Sequence, residues 1–98
     1  MIKIQIQSDS KDKAVDMVRS AISAEIKRLE LGLDNTNQNI NEFEKKYNIP
    51  SSLFLEKYSA EDMENQDNEY VEWAGELRIK DRILSDLNQL KDIEYVAQ

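Results

Sequence analysis

Between Glu61 and Glu76 the chain reads EDMENQDNEYVEWAGE, which holds seven carboxylates and no Lys or Arg. Carboxylates crowded in this way have three chemical uses. They can hold a hard cation, exchange protons as an acid/base pair, or attract a basic partner. The cation reading starts well, because Asp62, Glu64, Gln66 and Asn68 alternate like the opening ligands of a calcium loop. It then fails. The sixth position of such a loop needs Gly for its sharp turn and is Asp67; the twelfth needs a bidentate Glu and is Trp73. No metal is expected.

The acid/base reading rests on Glu69, Glu72 and Glu76, which fall on neighbouring turns of one helix. Catalysis requires a pocket that drives their pKa values apart, and a helical hairpin of 98 residues seldom encloses one. Ordinary helix physics accounts for these acids. Negative charge is favoured in the first turns by the helix dipole, and Glu76 with Lys80 has the i,i+4 spacing of a surface ion pair.

Partner binding uses more of what is present. The window carries the whole formal net charge of −7, since acids and bases balance over the rest of the chain. Trp73 and Tyr70 stand inside it and Phe54 just upstream. Large aromatic side chains beside an anionic surface suit a basic protein. The expected contact residues are Phe54, Glu61, Asp62, Glu64, Asp67, Glu69, Tyr70, Glu72, Trp73 and Glu76. Trp73 carries a competing reading. At helical spacing from Tyr70 and Leu77, an aromatic is more often core than contact.

What is missing narrows the function further. The chain has neither His nor Cys, which removes Ser-His-Asp and Cys-His catalysis, disulfides and ordinary zinc sites. No cofactor is implied. The absence of Cys fits a cytoplasmic protein. The opening MIKIQIQSDSK has no apolar run like that of a signal peptide, and no stretch approaches the ~18 apolar residues of a membrane span. An acidic chain is a poor ligand for anionic membranes or nucleic acid. Its bases, Lys11, Lys13, Arg19, Lys27, Arg28, Lys45, Lys46 and Lys57 among them, are scattered among acids rather than gathered in a patch.

The elements that would position the acidic window follow from periodicity. Ile2, Ile4 and Ile6 alternate with Lys3, Gln5 and Gln7, the period-two pattern of a half-buried strand over 1–7. Ser8, Asp9 and Ser10 supply turn and N-cap chemistry. From 11 to 47 the rhythm is helical. Val15, Ile22, Leu29, Thr36 and Phe43 recur every seven residues, as do Ile26, Leu33, Ile40 and Tyr47. A helix of that length spans about 54 Å at 1.5 Å per residue, so its apolar stripe needs a matching helix or a second copy. The stretch from Asp34 to Asn41, with Gly32 before it, is rich in residues that weaken helices, but the unbroken register favours continuity. Pro50 ends the helix, Ser51 and Ser52 can cap a short one over 51–58, and 59–66 reads as an acidic loop. A second long helix over 67–91 carries Tyr70, Trp73, Ala74, Leu77, Leu84 and Leu87 on one face, widened by Ile83 and Leu90. Residues 92–97 alternate again as a strand.

The expectation is one α+β domain, mostly α, in the order β-α-α-α-β. A long antiparallel helical hairpin would bring the terminal strands to the same end, where they can pair as a small ribbon. A lone two-stranded ribbon leaves open edges, so a homodimer is expected.

The segments FEKKY (43–47), SSLFLEKY (51–58) and EWAGE (72–76), with the leucine-spaced helix running to Ile93, resemble a group of small acidic proteins of bacteria and archaea. Those proteins are often encoded beside a small toxin-like gene and are suspected antitoxins. The resemblance covers rather more than half of the chain. It implies a neutralising partner of a basic protein such as a toxin nuclease, and the chain departs from commoner antitoxins in having no evident DNA-binding module. Two further readings stand beside it: an acidic inhibitor of phage or mobile-element origin that blocks a nucleic-acid-binding groove, and a structural homo-oligomerisation module.

Overall fold

A computed structural model describes residues 2–7, 9–61 and 68–97. The elements run β1 (Ile2–Ile6), α1 (Lys11–Tyr47), α2 (Ser51–Glu61), α3 (Asn68–Lys91) and β2 (Ile93–Ala97). The protein is therefore mostly helical with a small terminal sheet. Among the described residues, no helix is long and apolar enough to cross a membrane.

Helix α1 runs unbroken for 37 residues, through the whole Asn-rich stretch. The cause is a matter of magnitudes. Asn costs at most about 0.7 kcal/mol relative to Ala in a helix, whereas burying one Leu or Ile side chain contributes about 1.5–3 kcal/mol. All nine seam residues from Val15 to Tyr47 are buried or half-buried, so the seam outweighs local propensity. Asn48 stops the helix in the left-handed region, with φ 54°, where Asn is tolerated better than most residues. Pro50 then opens α2, and its carbonyl accepts the Phe54 N–H at 3.0 Å. The Ser51 N–H, which the first turn of α2 leaves without a helical partner, donates to Glu44 Oε2 of α1 at 2.8 Å.

One helix boundary and one helix face differ from expectation. Helix α2 continues through Ser59 and Ala60 to Glu61, because nothing in that tripeptide breaks a helix and Ala favours one. On α3, Leu84 is 40% exposed and Ile83 turns inward instead. With 3.6 residues per turn, a stripe through Trp73 and Leu77 drifts to Ile83, Leu87 and Leu90.

The terminal strands pair in parallel, with Ile2 beside Ile93, Ile4 beside Tyr95 and Ile6 beside Ala97. Period two alone leaves strand direction open. A parallel pair requires a long connection between its strands, and the three helices provide it.

Backbone proximity divides the chain into two compact units, residues 1–32 with 83–98, and residues 33–82. In the first, Ile6, Leu29 and Leu87 are buried, Gly32 faces the Ile83 side chain, and the Arg19 guanidinium lies over the Tyr95 ring at 5.1 Å. Lys91 reaches Glu30 at 3.9 Å. In the second, α2 packs against segments of α1 and α3 around Phe54, Tyr58, Trp73 and Ala74. Within each unit α1 and α3 run antiparallel, since Gly32 meets Ile83 and Glu30 meets Lys91 in one, while Phe43 meets Trp73 and Tyr47 meets Tyr70 in the other.

Candidate functional site

The expected anchors turn out to be the core of the second unit. Trp73 is 0% exposed and Phe54 2%. Their rings stack with centroids 3.9 Å apart and planes 4° from parallel, and Phe43 and Tyr47 lie near-parallel to the indole at 5.7 and 5.8 Å. The indole N–H donates to Ser51 Oγ at 3.0 Å, so the one polar atom of Trp73 is satisfied inside the fold. Ser51 is used twice: its backbone is capped by Glu44 and its hydroxyl holds Trp73. Phe54 and Trp73 therefore offer no surface to a partner, which corrects the contact role expected of them. The competing core reading of Trp73 is the one observed. Tyr70 is half-buried and packs against Tyr47 and Phe54.

The acids divide three ways. Asp62, Glu64 and Asp67 lie outside the described residues, and of Glu61 only the backbone is described. Glu69, Glu72 and Glu76 come together on α3, facing α1. They line a groove of about 500 Å³ with Asn39, Glu42, Phe43, Lys46, Gly75 and Ile79. Helix spacing explains the set. Glu69, Glu72, Glu76 and Ile79 succeed one another at three and four residues on α3, and on α1 Asn39 lies three and four residues before Glu42 and Phe43, which lie four and three before Lys46. Gly75 leaves open space, since a Cβ there would meet nothing within 4 Å.

Sequence reading missed the α1 wall. Glu42 and Lys46 flank the seam residues Phe43 and Tyr47, so their i,i+4 spacing was a usable signal. It became one only when Phe43 was known to lie opposite Trp73.

Four acids and one base give this groove a net negative charge. Lys46 and the Tyr47 hydroxyl both donate to Glu69. These bonds, the Lys46 one first, hold the Glu69 carboxyl below its ordinary value of 4.5. Glu42 and Glu72 make no ion pair among the described residues. The expected Glu76–Lys80 pair is not formed either; Glu76 Oε2 is buried and has no hydrogen-bond partner. Among the described residues, no three potential ligands converge as a metal site.

The Glu69 arrangement has a pH signature. A carboxyl with a lowered folded pKa adds stability above its unfolded value, and loses it as pH falls through the folded one. The difference in melting temperature between the native chain and Glu69→Gln should therefore be complete at neutral pH. It should shrink as pH drops below about 4.5. Melts across pH 3–7 check this; a difference that stays constant over the range would mean that the Lys46 and Tyr47 bonds do not shift Glu69.

No protein-family model, no curated protein and no solved structure matches this chain.

Proposed function

We propose that this chain is a non-enzymatic, antitoxin-like binding protein, and that the groove between α1 and α3 of the second unit takes a cationic side chain of a basic protein such as a toxin nuclease. The observation that carries the reading is Glu76. A buried carboxylate oxygen without a donor costs roughly 1–3 kcal/mol, and Glu76 Oε2 is such an atom, in the wall of an open groove. Glu76 as a residue is only half-buried and lines the groove, so a turn of its carboxylate toward the groove would let an incoming Arg or Lys supply the missing donor. Charge-assisted bonds of that kind are about twice as strong as neutral ones. Glu42 and Glu72 stand ready to share the charge, and Phe43 and Ile79 give the alkyl stem an apolar floor. The acids of 61–67 add to the net negative charge that attracts a basic partner. The resemblance to small acidic proteins encoded beside toxin-like genes points the same way.

The test separates a built groove from general acidity. Binding of an Arg-rich peptide, and of any basic protein captured with this chain from its host, is measured for two triple variants of equal net charge. The groove variant is Glu42→Gln with Glu72→Gln and Glu76→Gln. The control is Asp16→Asn with Glu56→Gln and Asp81→Asn, all exposed positions away from the groove. The groove variant should weaken binding by at least about tenfold, some 1.4 kcal/mol, while the control stays close to the native chain. Equal losses in both would reduce the interaction to nonspecific attraction and remove the site.

A further inference from the structure

A two-stranded sheet is marginal by itself, and an open strand edge presents unpaired N–H and C=O groups that readily pair with another chain. Here β1 and β2 make up the whole sheet among the described residues, so each strand has one edge without a strand neighbour. The register says which atoms lie on those edges. Ile2 N–H donates to Asp92 O at 3.2 Å. With the pairing of Ile2 to Ile93 through Ile6 to Ala97, the amides of Ile2, Ile4 and Ile6 point toward β2. Those of Lys3 and Gln5 point outward, as do those of Ile93, Tyr95 and Ala97 on the far edge.

The geometry points to the β1 edge as a self-pairing surface, on which a second copy of this chain adds its own β1 antiparallel about a two-fold axis through Ile4. Three observations select this occupant and this register. First, each copy carries a net charge of −7, so two copies repel unless they meet where acids are absent. Residues 2–7 hold no acid, whereas β2 carries Glu94 and follows directly on Asp92. Second, Ile2 is 40% exposed in the single chain while Ile6 is 7% exposed. An axis at Ile4 sets Ile2 opposite Ile6 of the second copy and Ile4 opposite itself, so one continuous apolar row covers the exposed Ile2. Third, the outward amides then fall into register. Lys3 and Gln5 of the second copy exchange two hydrogen bonds, and Gln5 with Lys3 of the second copy exchange two more. Moving the axis to Lys3 sets like charges opposite each other. Moving it to Gln5 sets Ile2 opposite Ser8, beyond the end of β1. The axis at Ile4 gives a closed, isologous contact and a four-stranded sheet in the order β2-β1-β1-β2.

The chain has no Cys, so a single introduced thiol can form only an intermolecular disulfide. Facing residues in a non-hydrogen-bonded antiparallel pair have Cα atoms about 4.5 Å apart, within disulfide range. The native chain should sediment as a dimer at about 100 μM, within the range of modest interfaces. Under mild oxidation Ile4→Cys should crosslink nearly completely, and Gln5→Cys should not. Gln5→Pro removes only an outward N–H and should give a monomer with the native helical circular dichroism signal; this variant decides if Ile4→Cys loses that signal. A native chain that is monomeric at this concentration overturns the proposal. A dimer that survives Gln5→Pro, or in which folded Ile4→Cys stays uncrosslinked, overturns it as well.

Discussion

Trp73→Ala is expected to remove about 3–5 kcal/mol of folding stability, the cost of truncating a large buried aromatic. The ring is fully enclosed and stacked on Phe54, and its N–H is committed to Ser51. Truncation leaves a void among Phe43, Tyr47 and Phe54 that backbone held in three helices cannot easily close. Domains of this size have only about 5–15 kcal/mol in total, and each kcal/mol shifts the melting temperature by roughly 4–8 °C. The variant should therefore be partly unfolded at physiological temperature. Trp73→Phe keeps most of the stacking and loses the indole donor, so its cost should be nearer 1–2 kcal/mol. Thermal melts followed by far-ultraviolet circular dichroism read both values. A loss below about 1 kcal/mol for Trp73→Ala would return the residue to the surface as a contact candidate.

The second large effect lies in the other unit. Leu29→Ala should cost about 2–5 kcal/mol, because Leu29 is buried on the α1 seam with the first unit's core. Its readout is more informative than its size. Leu29 and Trp73 belong to different units, yet α1 and α3 each run without a break through both. A continuous helix transmits unfolding along its length, because each turn is stabilised by the one before it. The fluorescence of Trp73, the one Trp of the chain, should thus report the same lowered midpoint as circular dichroism. Two separate transitions in Leu29→Ala would mean that the units melt independently.

The burial of Trp73 also bears on function. Since Trp73 is core, loss of binding in Trp73→Ala would follow from loss of the fold and says nothing about contact. The groove acids are the residues whose charge can be removed with the fold intact, Glu42 and Glu72 above all, as both are exposed. Glu76 is the instructive member of that set. Its neutralisation to Gln keeps the shape and removes the charge from a partly buried group, so stability should hold even as affinity falls.

Much of this molecule is written in local sequence. The seven-residue recurrence from Val15 to Tyr47 determined a continuous α1, because side-chain burial every 3.5 residues outweighs the weak helix preference of the Asn-rich stretch. The alternation of Ile2, Ile4 and Ile6 determined a strand with one apolar face. The lack of His and Cys determined which chemistries are closed to the chain. What tertiary structure alone decided was position between elements. The parallel sense of the strands depends on how the helices return the chain, which period two does not encode. Whether Trp73 faces a partner or the interior depends on α2, whose Phe54 covers the ring; an amphipathic stripe on α3 reads the same in either case. The acidic groove likewise needs Glu42 of α1 opposite Glu72 and Glu76 of α3, residues more than 25 positions apart. Sequence spacing reports neighbours along one helix, whereas the register between two helices is set by packing, and it is that register which leaves a carboxylate oxygen buried and without a donor.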